Sequence, residues 1–145
     1  MRPHFAAMPS PKLPLYFENA AAAVREHPAG YVVFEYKPGK RAFTDLQAVL
    51  QHLSNLLRRR DWYRILGDQR TMTPFTEQET AWIVDYWLDV TRQRPGGIYA
   101  AVLLAEDVFA RLAATQLRHE NKQAALTYRL FEDEAEAATW LGQLG

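Results

Sequence analysis

Two kinds of hydrophobic pattern alternate along this chain. Tyr31–Tyr36, with the sequence YVVFEY, is almost continuously apolar and aromatic, which predicts a strand buried deep in a sheet. From Thr44 to Arg60 the apolar residues recur every three or four positions, which predicts an amphipathic helix with Thr44-Asp45 offering its N-cap. The helical apolar positions are Leu46, Val49, Leu50, Leu53, Leu56 and Leu57.

The same patterns predict the remaining elements. Further strands are expected at Leu15–Glu18, at Ala23–His27 as an edge strand, and at Tyr63–Asp68, Ile98–Leu104 and Thr127–Phe131. Further helices are expected from Thr76, from near Glu106, and over Glu132–Leu144. Strands that alternate with helices are typical of parallel strands joined by right-handed crossovers.

The predicted fold is therefore an α/β mixed sheet with an antiparallel N-terminal strand pair, parallel strands in the remainder, and about four helices. A chain of 145 residues is the usual size of one domain. The proline-rich segment PSPKLP near the start predicts an extended tail over residues 1–14. Residues 15–145 are expected to form the single domain.

Composition restricts the partners and the compartment. The 17 Lys and Arg residues balance the 17 Asp and Glu residues, so no net field attracts nucleic acid, and no nucleic-acid partner is expected. No apolar run approaches the roughly 18–20 residues of a membrane helix, so no integral membrane segment is expected. The absence of cysteine fits a cytoplasmic protein and excludes thiol chemistry.

Motifs for catalysis and for cofactors are missing. Neither Ser10 nor Ser54 lies in a nucleophile elbow, and the four histidines, including His27 and His52, lack metal-ligand spacing. The chain contains no phosphate loop and no dinucleotide fingerprint. We therefore expect no catalytic residue, no metal and no cofactor.

One group of polar residues is predicted at the edge of the sheet where parallel strands end. Asp68 and Arg70 follow one predicted strand, Thr73 lies in the loop after it, and Asp107 follows the next strand. Ligands of open α/β sheets bind at this edge. The four residues are thus candidate ligand- or partner-binding residues, although Asp68 and Asp107 are also ordinary partners for loop and helix amides.

Two further features have a structural and a functional interpretation. Thr76 with Glu79 spells a capping box, but Thr76 at a helix N-terminus is also a candidate phosphoacceptor. Trp82, Tyr86 and Trp87 form an aromatic stripe that either belongs to the core or lines a binding surface. Trp82 and Trp87 are accordingly candidate ligand- or partner-binding residues.

The C-terminal stretch LTYRLFEDEAEAATWL resembles the corresponding strand and helix of SpoIIAA-like STAS domains. In that family a strand that ends in Phe and an acidic residue leads into a helix with an Ala-x-x-Trp-Leu pattern, matched here by Phe131, Glu132, Ala137 and Trp140-Leu141. The order of elements from Leu15 to Leu144 also fits, and the stretches ILGDQRTMTPFTEQE and DVFARLA resemble a bacterial branch of the group.

The resemblance implies a STAS-like fold and a regulatory, protein-binding module that needs no cofactor. Anti-anti-sigma factors of the family carry a phosphorylatable serine after the Asp-ended strand, whereas Asp68–Thr76 has only threonines. The fold is also similar to that of CRAL-TRIO lipid-transfer proteins, which favours a carrier of a small apolar or lipid-like ligand as an alternative. A carboxylate-based enzyme that uses Asp68 and Asp107 is the second alternative. A protein partner remains unidentified, and a homodimer fits the module hypothesis.

Overall fold

The computed structural model describes residues 13–89, 96–109 and 126–144. These residues form a six-stranded sheet whose strands lie side by side in the order of the sequence. The strands are β1 (Leu15–Glu18), β2 (Ala22–His27), β3 (Tyr31–Tyr36), β4 (Arg64–Asp68), β5 (Ile98–Leu103) and β6 (Leu126–Phe131). The helices are α1 (Phe43–Arg60), α2 (Glu77–Trp82), which continues as a π-helix (Ile83–Trp87), and α3 (Glu134–Leu144).

The strand directions confirm the predicted mixed α/β sheet. β1 and β3 both pair antiparallel with β2. The pairs β3–β4, β4–β5 and β5–β6 are parallel. β2 is therefore the one strand of the described sheet that runs against the others.

The prediction that the second strand lies at an edge is wrong. β2 lies between β1 and β3, and its residues Ala22, Ala23 and Val24 are buried. α1 packs against this strand. Small alanine side chains leave room for the helix to approach, so packing overrides the weak strand propensity of alanine.

Side chains on alternate strand positions separate into two cores, as the period of two requires. Val32 and Phe34 of β3 pack on the face that α1 covers, which we call the α1 face. Val33 of β3 and Leu66 of β4 pack on the opposite face, beneath Leu141 of α3, which we call the α3 face.

The helix N-termini agree only in part with the sequence patterns. α1 has Ala42 as its N-cap, without a side-chain hydrogen bond, so the prediction of Thr44-Asp45 as the cap is wrong. α2 begins after Thr76 with both bonds of the predicted capping box. The helix predicted near Glu106 is described only over residues 106–109, and its remainder lies outside the described residues.

The end of the predicted tail is tied to the sheet. The Pro14 carbonyl accepts a hydrogen bond from the Glu26 backbone N–H at 3.0 Å, and the Leu13 carbonyl accepts one from Arg25 Nη1 at 3.0 Å. Residues 1–12 of the tail lie outside the described residues. In the part of the chain that the structure describes, no helix is long and apolar enough to cross a membrane.

The C-terminal end of α3 is held by side chains at the start of β4. Arg64 Nη1 donates to the Leu141 carbonyl at 2.8 Å, and the Tyr63 hydroxyl donates to the Leu144 carbonyl at 2.9 Å. A cation near the last carbonyls of a helix also interacts favourably with the helix dipole. These bonds seat α3 on the sheet, where Ala137 and Leu141 are fully buried.

The packing of α3 on the sheet predicts opposite effects on the free energy of unfolding for substitutions at two neighbouring positions. Leu141→Ala removes a fully buried side chain and is expected to lower the free energy of unfolding by about 2–5 kcal/mol. Gly142→Ala places a methyl group in open space on the same helix and is expected to raise it, by up to about 1 kcal/mol. Urea denaturation of both variants checks this, and equal effects of the two changes would contradict the described packing of α3.

Candidate functional site

An apolar cavity of about 140 Å³ lies between the α1 face of the sheet and the π-helix. Strands β3, β4 and β5 form its floor, α1 and the π-helix form its sides, and the loop after β4 closes one end. The lining residues are Phe34, Tyr36, Leu50, Leu53, Ile65, Gly67, Gln69, Phe75, Ile83, Trp87, Leu88, Ala100, Val102 and Leu126.

The sheet leaves room for the cavity because two positions in its centre carry little or no side chain. Gly67 of β4 pairs with Phe34 of β3 and Val102 of β5. Among the described residues, its chain neighbours aside, a Cβ atom at Gly67 would have only the Ala101 carbonyl oxygen within 4 Å, at 4.0 Å. Ala100 contributes a single methyl group to the same floor. The cavity thus occupies the space that larger strand residues would fill.

The wall opposite the sheet depends on the change from α-helix to π-helix. The Leu88 backbone N–H donates to the Ile83 carbonyl at 2.8 Å, a bond that spans five residues. Trp87, only 6% exposed, lines the cavity, and its Nε1 donates to the Leu50 carbonyl of α1 at 2.9 Å. π-helical turns are rare and recur at functional sites.

The predicted aromatic stripe is divided by this π-helix. Trp82 is half-buried and stacks on Tyr86, with ring centroids 5.3 Å apart, and it meets Phe43 of α1 edge to face. Trp87 faces the cavity instead. Of the two candidate tryptophans, therefore, Trp87 belongs to the candidate site and Trp82 packs beside it.

A buried ion pair fixes the loop that closes the cavity. Arg41 meets Glu79 through two parallel hydrogen bonds, Nε to Oε2 at 2.9 Å and Nη2 to Oε1 at 2.8 Å. The two side chains are only 4% and 3% exposed. Arg41 also donates to the carbonyls of Thr73 and Pro74, and its guanidinium lies 5.3 Å from the centroid of the Phe75 ring.

Glu79 and Tyr36, which both lie close to Arg41, have shifted pKa values. Burial raises the pKa of Glu79, but hydrogen bonds from Arg41 and Thr76, together with the charge of Arg41, outweigh burial and leave the pKa below its ordinary 4.5. Burial raises the pKa of the Tyr36 hydroxyl well above its ordinary value, despite the opposing charge of Arg41. At neutral pH, therefore, Glu79 is ionised and Tyr36 is protonated.

The structure brings together only part of the polar group predicted at the edge of the sheet. Arg70 holds both carboxylate oxygens of Asp68, at 3.1 Å and 2.9 Å, and lies 3.4 Å from Glu134 Oε1. The Thr73 side chain is exposed, and its carbonyl belongs to the Arg41 network. Asp107 is exposed in the helical turn at 106–109, and no hydrogen bond or ion pair joins it to Asp68 among the described residues.

The other sequence candidates keep structural positions. The Thr76 hydroxyl accepts from the Glu79 N–H at 3.1 Å, and the Thr76 N–H donates to Glu79 Oε1 at 2.9 Å, so the capping box is confirmed. Phosphorylation of Thr76 remains a prediction. Within residues 13–89, 96–109 and 126–144, no three metal-ligating side chains lie close enough together to hold an ion.

Most residues of the site were not predicted, and three of them show what signal the sequence carried. Arg41 bonds to Glu79 across 38 residues of sequence, a separation at which no local pattern indicates contact. Glu134 reaches Arg70 from a different element. Gly67, by contrast, carries a signal that was not used, since an isolated glycine inside a strand often marks space for a ligand or for another backbone.

Comparison of the chain with protein-family models, with curated proteins and with solved structures found no significant match. The resemblance to STAS domains therefore rests on the residues and the element order described above. The class that the structure itself defines is an α/β protein with a six-stranded mixed sheet.

The burial of the Arg41–Glu79 pair predicts a large difference in stability between two arginine variants. Arg41→Leu leaves the Glu79 charge buried without its partner and is expected to cost about 3–5 kcal/mol of unfolding free energy. Arg70→Leu breaks a pair in which Arg70 is 44% exposed and is expected to cost at most about 1 kcal/mol. Urea denaturation measures both values, and similar costs would contradict the assigned burial of the Arg41–Glu79 pair.

The lowered pKa of Glu79 predicts a loss of stability in acid. The contribution of Glu79 is complete above pH 4.5, its ordinary pKa, and is lost as the pH falls through its lower folded-state value. Glu79→Gln is expected to lower the stability at pH 7 and to flatten the decline below pH 4.5. Glu136→Gln, at an exposed position of α3, serves as the control. A Glu79→Gln variant with the acid slope of the unmodified protein would argue against this assignment.

Proposed function

We propose that this protein is a non-catalytic binding module that holds a small apolar molecule in the cavity beside its π-helix. The cavity itself carries this proposal: it is lined almost wholly by apolar groups and lies in the centre of the α1 face. Convergent apolar walls with few polar groups are the usual composition of a small-molecule site.

The energetic cost of the cavity supports a binding role. Enclosed, unfilled volume in a protein core costs about 24 cal/mol per Å³, which sets an upper bound of about 3 kcal/mol for these 140 Å³, since the space is partly open to solvent. Larger side chains at Gly67 or Ala100 would fill this space within the same sheet. A bound apolar molecule restores the lost contacts and recovers part of this free energy.

The volume of the cavity narrows the ligand to the size of a single ring. An apolar protein cavity of about 150 Å³ admits benzene. Sites for drug-sized molecules occupy about 300–1,000 Å³. A cavity of about 140 Å³ fits a monocyclic or short branched molecule, and this volume favours such a ligand over a lipid-like one.

The enzyme hypothesis has less support from the geometry. It requires a carboxylate available for chemistry, but both oxygens of Asp68 are hydrogen-bonded to Arg70. Glu79, the buried carboxylate that holds the closing loop through Arg41, is hydrogen-bonded to Arg41 and to the Thr76 N–H. A binding role does not need a reactive group at either position.

Regulation of a protein partner is a second candidate function, and the loop between β4 and α2 favours it. This loop contributes Gln69 and Phe75 to the cavity wall and exposes Arg70 and Thr73 on the surface. A ligand that contacts the inner side of the loop would alter the surface offered to a partner. Such coupling fits the regulatory role that the resemblance to STAS domains implies.

The test is binding of toluene, a ring-sized apolar probe. Toluene at ten times its dissociation constant is expected to stabilise the protein by about 1.4 kcal/mol, visible as a raised melting temperature. Gly67→Val fills the floor of the cavity and is expected to stabilise the free protein but to abolish the response to toluene. Gly142→Ala, which adds stability away from the cavity, is the matched control and should retain the response.

Two results would contradict the proposal. The first is an unmodified protein whose melting temperature and amide NMR shifts do not respond to saturating toluene. The second is a Gly67→Val variant that is folded and responds to toluene as strongly as the unmodified protein does, since binding would then lie elsewhere.

A further inference from the structure

Charges near the cavity are already neutralised by one another. The Arg41 Nε and Nη2 donate to Glu79, while Nη1 donates to the Thr73 carbonyl. Glu79 also accepts from the Thr76 N–H. Among the described residues, an ion inside the cavity would meet no uncommitted opposite charge, and it would lose its hydration, which is strongly unfavourable. These observations favour an uncharged ligand.

Aromatic rings make up a large part of the cavity wall. Phe34, Tyr36, Phe75 and Trp87 all line it. Tyr36 meets Phe34 edge to face with a centroid distance of 4.8 Å, and it meets Phe75 edge to face at 5.8 Å. Edge-to-face and offset contacts between rings add to the free energy of burial. These walls favour a flat, unsaturated ring over a saturated chain of equal volume.

Three lining side chains carry hydrogen-bonding groups, and one of these groups is occupied. Trp87 Nε1 donates to the Leu50 carbonyl. Among the described residues, neither the Tyr36 hydroxyl nor the Gln69 side-chain amide forms a hydrogen bond with another residue. Tyr36 stays protonated because burial raises its pKa, so its hydroxyl can donate as well as accept. A hydrogen-bonding ligand atom near Tyr36 or Gln69 would thus find either a donor or an acceptor.

From these observations we infer the chemical class of the ligand: an uncharged six-membered aromatic ring that bears one hydrogen-bonding atom, recognised by Tyr36 with support from Gln69. This inference rests on the proposed function, because it names the ligand class of the same cavity. It goes beyond apolar burial by assigning a polar specificity to two residues.

The test compares two probes of equal size, toluene and phenol, by calorimetric titration. The probes are titrated into the unmodified protein, Tyr36→Phe, and the double variant Tyr36→Phe/Gln69→Leu. Tyr36→Phe is expected to weaken phenol binding about two- to tenfold more than it weakens toluene binding, because only phenol loses one net hydrogen bond. The double variant is expected to weaken phenol binding further. Tyr128→Phe, at an exposed position of β6, is the control and should change neither affinity.

The outcomes separate this inference from the proposed function. Toluene binding with no detectable phenol binding, or a ratio of the two affinities that is the same in all variants, overturns the polar specificity and leaves the binding function in place. Failure of both probes to bind the folded, unmodified protein overturns the proposed function and this inference together. Circular dichroism spectra establish that each variant is folded before titration.

Discussion

The buried ion pair between Arg41 and Glu79 determines the arrangement of the site. Arg41 precedes α1 and Glu79 lies in the first turn of α2, so their two hydrogen bonds join the start of one helix to the start of the other. The remaining Arg41 donors hold the carbonyls of Thr73 and Pro74, which fixes Phe75 beside the cavity. A buried pair of this kind is costly to break because the remaining charge keeps no partner. The loop therefore has one defined position over the cavity.

The cavity results from two departures from ordinary core packing that occur opposite each other. Gly67 removes a side chain from the centre of the sheet, and the π-helix at Ile83–Trp87 shifts the opposite wall by the extra residue in its turn. Each departure alone lowers stability, since core interiors are normally close-packed. Their coincidence on the α1 face, beside the closing loop, is the reason for assigning function to this region. On the α3 face, Leu66 and Leu141 are buried in the second core, and the groove of about 310 Å³ between β6 and α3, which Phe131 and Trp140 help to line, is open to solvent.

Much of the fold was predictable because its signals are local. Tyr31–Tyr36 is almost continuously apolar and aromatic, and the apolar residues of the helix Phe43–Arg60 recur every three or four positions. Both elements were therefore predicted within one residue. The central position of β2 in the sheet was not predictable, because burial of Ala22 and Ala23 depends on α1 packing above them. The Arg41–Glu79 pair was not predictable either, since contact between residues so distant in sequence is decided by the folded chain. Of the polar group predicted at the sheet edge, the structure joins Asp68 to Arg70 but not to Asp107, and a binding role for these residues stays a prediction.

We propose that the space beside Trp87 is an accessible apolar binding site. Xenon, which enters apolar protein cavities, tests this most directly, through anomalous diffraction from crystals of this protein pressurised with the gas. We predict a xenon atom among Gly67, Phe75 and Trp87 in the unmodified protein, and its loss in Gly67→Val crystals. Ordered crystals of the unmodified protein with no xenon at this position, or with xenon only elsewhere, would contradict the account.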